Sequence, residues 1–344
     1  IVPVTSTKRW LDRETPPAPA AWMDPSFSDA SWLRGTARSF PRTPYLSNLH
    51  LRAKFEVSDP AQAKDLTLSV TYCGGVKVFL NGKEIGRANI PEGAALADGY
   101  PQEAFVGDDG TLAPEQSSAP AYQKSMQARL RQMEVALPRE ALRQGTNVIT
   151  IEIVRAPYHK VLGEERFRPS HREIRQINCA YDFRWYTCDL RDVTLRGTGA
   201  GVVSNAKRPE GLQVWNGDIL VADVATDFGD RCEAVGPVVI RAAKNGWYSG
   251  KVVAGSSRAI EGLKATVSEL RQGREVIPAS AVRVRYGVAM GSRPDSPIDT
   301  LLEKPLEAFP VVAGGCVVPV WVTVKVPKEA KAGVYEGKVR IEAK

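Results

Sequence analysis

The sequence predicts an all-β protein made of two β-sandwich domains, and three observations predict it. Residues 49–57 alternate apolar and polar side chains without a break, the period of a strand with one buried face. Asn81-Gly82 stands between two short alternating runs. That is the signature of a two-residue hairpin whose turn positions both need positive φ. The second half of the chain repeats short apolar runs at sandwich-like spacing. The 24 prolines and 29 glycines among 344 residues supply turns rather than helix interiors.

The elements follow in order. Residues 1–46 form a leading segment broken by Pro16, Pro17 and Pro19 and punctuated by Trp10, Trp22 and Trp32. These indoles either close the bottom of a sandwich or stack on the apolar face of a sugar. In 49–57, Leu49, Leu51, Ala53, Phe55 and Val57 face inward, and His50, Arg52, Lys54 and Glu56 face outward. Leu66, Leu68, Val70 and Tyr72 repeat the pattern. In the hairpin over 72–91, simple pairing across Asn81-Gly82 sets Phe79 opposite Glu84, Val78 opposite Ile85 and Val76 opposite Arg87. Val76, Val78, Leu80 and Ile85 then share the core face, and Pro91 ends the second strand.

Residues 94–127 are rich in Gly, Pro, Asp and Ser with no period, the pattern of a long loop. Met126, Leu130 and Met133 fit one helical stripe, and Met133, Val135 and Leu137 fit a strand equally well. Ile149, Ile151 and Ile153 form another core face. A second insertion, 155–175, carries Arg155, Lys160, Arg166, Arg168, Arg172 and Arg175 with His159 and His171. It reads either as a contact surface for an acidic glycan or as a solvated loop balanced by Glu164, Glu165 and Glu173. Residues 184–196 close the first domain, and a stretch rich in Gly, Ser, Asn and Pro follows at about 199–209, with the linker between the domains set at 204–210. Strands are expected at 238–240, 250–254, 263–267, 282–286, 317–326 and 337–341. Val318, Val320, Val322, Val324 and Val326 line one face of the longest. Pro319 within that run predicts an edge or a bulge.

Composition bounds the rest. Charged residues are 25% and hydrophobic residues 43%, which describes a folded globular chain. The net charge of +7 is mild for this length and permits acidic partners. No run of about 18 apolar residues predicts a membrane-spanning helix. The chain starts at Ile1 with no leader, as a mature or excised product would. Five cysteines without CxxC spacing argue against zinc. Cys179 and Cys188 either bridge across a loop or remain buried thiols.

Three stretches carry a resemblance. The hairpin GGVKVFLNGKEIGRANIP, the segment from Trp22 to Trp32 and the run from Leu142 to Ile149 resemble successive parts of galactose-binding-like jelly rolls. The second is similar to the F-D-D-S-x-W segment of sugar-binding domains in family 2 glycoside hydrolases, with Ser28 in place of the first Asp. The third is similar to their L-x-x-G-x-N-V-I strand. Further on, KNGWYSGK from Lys244 and PVWVTVKVPKEAKAGVYEG from Pro319 resemble the N-terminal β-sandwich of family 123 glycoside hydrolases. The expected architecture is a galactose-binding-like jelly roll over 1–203 and an immunoglobulin-like β-sandwich over 211–344. In family 123 this sandwich precedes a barrel that does the chemistry, so the resemblance implies a catalytic domain after Lys344.

Within the chain no catalytic constellation is visible. Asp108-Asp109 and Glu164-Glu165 are adjacent carboxylates, but both fall in loops rather than on rigid elements. GxSxG, HExxH and phosphate-binding loops are absent, and the three histidines have no metal-ligand spacing. Only the 155–175 loop approaches a nucleic-acid surface, so neither nucleic acid nor a membrane is an expected partner. The expectation is therefore a secreted, extracellular or periplasmic, non-enzymatic carbohydrate-binding and scaffold region of a larger glycoside hydrolase-like protein. Its rivals are a purely structural sandwich region and a self-assembling surface or filament protein.

The candidate glycan site is a rim formed by Tyr72, Arg87, Arg155, Tyr158 and His159. Arg155 would donate paired hydrogen bonds to hydroxyls or a carboxylate, Tyr158 would stack on a sugar, and His159 would make binding depend on pH. Alternatively, Arg87 and Arg155 only close the sandwich edge with their stems on Tyr72. No cofactor is required. The jelly-roll resemblance implies a structural Ca²⁺, with Asp24, Ser28 and Asp29 as the nearest oxygen cluster, unless Asp24 and Ser28 only cap tight turns.

Overall fold

The computed structural model describes residues 4–6, 20–29, 32, 46–113, 120–164, 166, 185–203 and 208–344. The chain divides into two compact units, Ile1–Val203 and Ser204–Lys344. Most of the described secondary structure is strand, and one α-helix is present among the described residues.

Unit 1 is a two-layer antiparallel sandwich. Its strands are β1 (Val4–Ser6), β2 (Leu46–Val57), β3 (Lys64–Cys73), β4 (Gly75–Leu80), β5 (Lys83–Ala88), β6 (Arg131–Ala136), β7 (Gly145–Val154), β8 (Asp189–Thr198) and β9 (Val202–Val203). One sheet runs in the order β1-β2-β7-β4-β5, with β9 added on β2, and the other runs β6-β3-β8. Alternation aims Leu49, Leu51, Phe55 and Val57 of β2, Val76, Val78 and Leu80 of β4, and Ile149, Ile151 and Ile153 of β7 into one core. From the other sheet Leu66, Leu68, Val70, Tyr72 and Leu190 meet them. Each such fully buried side chain contributes about 1.5–3 kcal/mol. Ala53, expected among them, is exposed.

The hairpin turn is of the expected type: Asn81 has φ +52° and Gly82 φ +87°. The Asn81 amide ties the turn to β7, donating to Ala141 O and Asn147 Oδ1 at 2.9 Å and accepting from Val148 N at 2.9 Å. The register beyond the turn corrects the simple pairing. Leu80 faces Lys83 and Phe79 faces Glu84, but a bulge then leaves Ile85 as an additional residue. Val78 therefore pairs with Gly86, Lys77 with Arg87, and Val76 with Ala88. Gly86 stands where Met133 of β6 packs, since a side chain there would lie 2.2 Å from Met133 Cε. One slipped residue moves Arg87 from the core side to the side of Lys77.

The insertion over 94–127 is not a structureless loop. It holds a 3₁₀ turn at Gln102–Ala104, a bridge between Val106 and Leu112, and α1 (Pro120–Arg129). Tyr100, Phe105, Val106, Val161 and Trp185 bury together as a second core at one end of the sandwich. No period announced this, because the apolar residues of a satellite cluster come from irregular backbone. Met126 is buried on α1, and Met133 and Val135 lie on β6 against the main core. Residues 165 and 167–175 of the basic insertion lie outside the described residues.

Unit 2 is built on a five-stranded antiparallel sheet. Its strands are β10 (Gln213–Gly217), β11 (Trp247–Ser256), β12 (Ile260–Glu261), β13 (Lys264–Val267), β14 (Leu270–Gln272), β15 (Glu275–Ile277), β16 (Val282–Val288), β17 (Thr300–Leu302), β18 (Ala308–Phe309), β19 (Cys316–Lys325) and β20 (Val339–Glu342). The main order is β10-β11-β19-β16-β17, with β12-β18, β13-β20 and β14-β15 as short pairs. Val252, Ala254, Tyr286, Val318 and Val320 fill its core.

Two expectations are corrected in this unit. Residues 238–240 form no strand; Val238 and Ile240 instead lie over Gly250, where a side chain would collide with both. Pro319 sits on the central strand β19, at neither an edge nor a bulge. The ladder between β16 and β19 stops at Tyr286–Val320, one residue before Pro319, while that between β11 and β19 runs on to Cys316. The missing donor therefore falls where one neighbour has already left the ladder.

Candidate functional site

The five predicted rim residues are not brought together. Tyr72 is fully buried in the main core, with its hydroxyl 2.8 Å from Asn89 Oδ1, and burial pushes that phenol up to about 12. Arg87, moved by the bulge, makes a paired 2.9 Å contact with Glu84. That contact holds the Glu84 carboxyl below its ordinary value. Tyr72 thus faces the core from β3 of one sheet, whereas Arg87 lies on the outer side of β5 in the other, and the expectation that both reach one rim is corrected.

Arg155 and Tyr158 do meet, with the guanidinium 5.0 Å from the ring centroid. Tyr158 also packs edge-on against Phe105 and Trp185, at 5.7 and 6.0 Å, and its hydroxyl donates to Trp185 O. Its ring is therefore engaged by the second core rather than offered as a flat platform. His159 Nδ1 accepts from Val161 N at 3.2 Å and caps the short turn Lys160–Gly163.

The predicted oxygen cluster is an anchoring device. Asp24 Oδ1 accepts from Ser26 N and Oγ at 2.7 and 2.6 Å, a tight turn. Ser28 is exposed. Asp29 is buried, with Arg52 Nε 3.1 Å from one oxygen and Lys54 Nζ 3.2 Å from the other. Burial alone would raise the Asp29 carboxyl, and these two cations outweigh it and lower it. A donor set whose one buried carboxylate already faces two side-chain cations does not fit a calcium ion. Arg52 also donates to the carbonyls of Trp22, Asp24 and Phe27. It pins residues 22–29 to the outer face of β2.

This cover explains why two outward-facing residues are buried. His50 and Arg52 do leave the core side, as expected, yet are only 6% and 4% exposed. Trp22 lies 4.8 Å from the His50 ring and 6.4 Å from Phe79. Beneath it Glu152 of β7 accepts from Lys77 Nζ at 2.9 Å and Asn48 Nδ2 at 3.2 Å, with His50 Nε2 at 3.5 Å. Burial would raise the Glu152 carboxyl, but the His50 and Lys77 contacts win and hold it at about 2 against an ordinary 4.5. A lowered folded value stabilises unit 1 above the unfolded value. That stabilisation is complete above about pH 4.5 and is lost as pH falls toward about 2. Glu152→Gln should flatten the acid-unfolding curve between those limits, read by circular dichroism. An unchanged curve would place the acid sensitivity elsewhere. This network was missed from sequence, although Trp22 and Trp32 were its available signal.

The adjacent carboxylates have ordinary structural partners. Asp108 pairs with Lys124 at 2.6 Å, Asp109 caps Thr111, and Glu164 pairs with Arg166 at 2.8 Å. Glu165 lies outside the described residues. Cys73, Cys188 and Cys316 are buried free thiols, and Cys232 is partly exposed. Burial pushes the Cys73 thiol up to about 11 and the Cys188 thiol higher still. Cys179 lies outside the described residues. No group of three or more metal-ligating side chains occurs among the described residues. Nor is any described helix long and apolar enough to cross a membrane.

In unit 2 the side of the main sheet away from the core carries Trp215, Val253 and Val317 at one end, packed with Ile298. Lys251 is buried at its middle, with Nζ 2.6 Å from Asp223 Oδ2 and 2.8 Å from Val221 O. Toward the other end stand Trp247, Trp321, Arg283, Arg285 and Lys325.

Residues 239–343 match the model of the glycoside hydrolase 123 N-terminal domain. This makes the chain a glycoside-hydrolase-associated region with β-sandwich architecture. No curated protein matches it. Among solved structures, similarity is found to a family 123 glycoside hydrolase from Clostridium perfringens, at 17% identity and TM-score 0.29 over 39% of this chain and 24% of that one. A calcium-binding mutant of Bacteroides uniformis β-glucuronidase 2 matches at 11% identity and TM-score 0.29 over 95% and 26%. A β-D-mannosidase from Dictyoglomus thermophilum matches at 14% identity and TM-score 0.22 over 86% and 27%. The chain thus spans about a quarter of the length of these enzymes. The expectation of a non-enzymatic chain is corrected: residues 239–343 match the N-terminal domain of a glycoside hydrolase family.

Proposed function

We propose that this chain is the carbohydrate-binding and scaffold region of a glycoside hydrolase-like protein. The observation that carries the reading is the match of 239–343 to the N-terminal domain of such a family. Two features of the structure support it. Buried ion pairs lock residues 22–29 and the loop carrying Asp223 onto rigid sheets, which suits a part that must hold a surface in fixed geometry. Unit 2 also leaves a tryptophan, Trp247, 52% exposed on its main sheet, and an exposed indole face suits the apolar face of a pyranose. The reading is tested on an array of neutral and acidic oligosaccharides. Saturable binding of at least one class, confirmed by calorimetry, is expected. Failure of every glycan to bind at about 1 mM removes the carbohydrate role.

A further inference from the structure

We propose that the outer face of β11–β19–β16 in unit 2 binds an anionic saccharide, one carrying uronate carboxylates or sulfate esters. The inference rests on the carbohydrate reading and gives it a place and a ligand chemistry.

Register assembles the face. Paired residues of an antiparallel ladder share a side, so Trp247 lies beside Lys325, Ser249 beside Thr323, and Lys251 beside Trp321. On the other flank of β19, Arg283 pairs with Thr323 and Arg285 with Trp321. Alternation thus brings two indoles and four cations onto one side of three adjacent strands, and one of the four, Lys251, is already paired with Asp223.

Their arrangement is that of a platform with charges at its edge. The Arg283 guanidinium lies 5.3 Å and the Lys325 ammonium 5.5 Å from the Trp247 ring. Both hold the indole in place while half its surface stays exposed. Arg285 Nη2 donates to Thr323 Oγ1 at 3.2 Å, which orients its guanidinium, and Ser249 Oγ is 2.8 Å from the same hydroxyl. Donors exceed acceptors: Arg285 Nε and Trp321 Nε1 are buried without a partner. Two carboxylates approach the face: Asp223 is held by Lys251 at 2.6 Å, and Glu303 lies 3.8 Å from Arg283 and is 64% exposed, a loose pair that a ligand can displace.

Charge complementarity selects the occupant. A neutral sugar would use the indole and leave Arg283 with only its loose Glu303 contact and Arg285 and Lys325 without an anion. A protein surface would have to bury Arg283 and Lys325 with their own carboxylates in place. A uronate or sulfated sugar satisfies both parts at once, with a ring stacked on Trp247 and its anionic group accepting from Arg283 and Lys325.

The test is affinity electrophoresis and calorimetry of the whole chain with polygalacturonate, dextran sulfate and neutral dextran at about 0.15 M salt. Retardation by polygalacturonate or dextran sulfate is expected, the first reporting carboxylate and the second sulfate recognition. Trp247→Ala, which changes no charge, and Arg283→Ala should each weaken it about tenfold. Lys83→Ala, an equal charge loss in the unit 1 hairpin, should leave it unchanged. Both side chains on the face are exposed, so neither variant threatens folding. Binding confined to neutral glycans overturns this inference and leaves the carbohydrate reading standing; absence of all glycan binding overturns both. Anionic binding that survives both face variants puts the site elsewhere. A dimer in sedimentation that Trp247→Ala dissociates, without anionic binding, gives the face to a second copy of the chain.

Discussion

Arg52→Ala should cost unit 1 about 3–5 kcal/mol, the range for removing one partner of a buried ion pair. The Arg52 side chain has no exposed surface and the Asp29 side chain is 5% exposed. Alanine there leaves Asp29 buried against Lys54 alone and strips the carbonyls of Trp22, Asp24 and Phe27 of a shared donor. Unpartnered buried acceptors are expensive because they have already given up water. At about 2–4 °C per kcal/mol for a domain of this size, the thermal midpoint of unit 1 should fall by roughly ten degrees, and Trp22 fluorescence should shift red as residues 22–29 lift from β2. Arg52→Lys keeps the charge but not the fork, so it should recover only part of the loss. A midpoint for Arg52→Ala equal to wild type would mean that residues 22–29 are held by their tryptophan contacts alone.

Lys251→Ala is the counterpart in unit 2, again with an expected cost of about 3–5 kcal/mol. Lys251 Nζ meets Asp223 at 2.6 Å with side chains 1% and 11% exposed, and it lies 5.4 Å from the Trp321 ring. Burial raises the Asp223 carboxyl and the ammonium only partly offsets it, so Asp223 depends on Lys251 to remain charged. The double variant Lys251→Met, Asp223→Leu removes both charges and fills the space. It should recover most of the stability, because two buried charges cost about what their attraction returns. If the double variant melts as low as Lys251→Ala, the loss belongs to the packing of the lysine stem on Trp321 and not to the stranded carboxylate.

The strands of both units were legible because their signal is local. In β2, β7 and β19 the alternation of Leu49 to Val57, Ile149 to Ile153 and Val318 to Val324 is carried by contiguous residues, and each set is buried as expected except Ala53. The Asn81-Gly82 turn was legible for the same reason, since positive φ is a property of two residues. The candidate site was far less legible. Its rim rested on counting residues outward from that turn, and the count failed at Ile85, where Met133 of another strand takes the space over Gly86. Trp247 and Trp321 stood in stretches that marked the family resemblance. Nothing in their spacing said that they share a face with Arg283 and Arg285, because β16 and β11 are neighbours only through β19.

The sequence by itself determined the all-β class, the positions of most strands, the hairpin turn and the similarity of the second half to a glycoside hydrolase N-terminal domain. Only the tertiary structure decided what covers each face and which charges are paired there. Alternation states that His50, Arg52 and Lys54 leave the core, but not that a segment 23 residues upstream returns to bury His50 and Arg52 under Trp22 and Asp29 and to pair Lys54 with Asp29. The physical reason is separation along the chain. Backbone period and turn conformation are set by adjacent residues, whereas burial and ion pairing are set by segments that meet only once the sheets have formed. Glu152 with His50, and Lys251 with Asp223, are partners of that second kind.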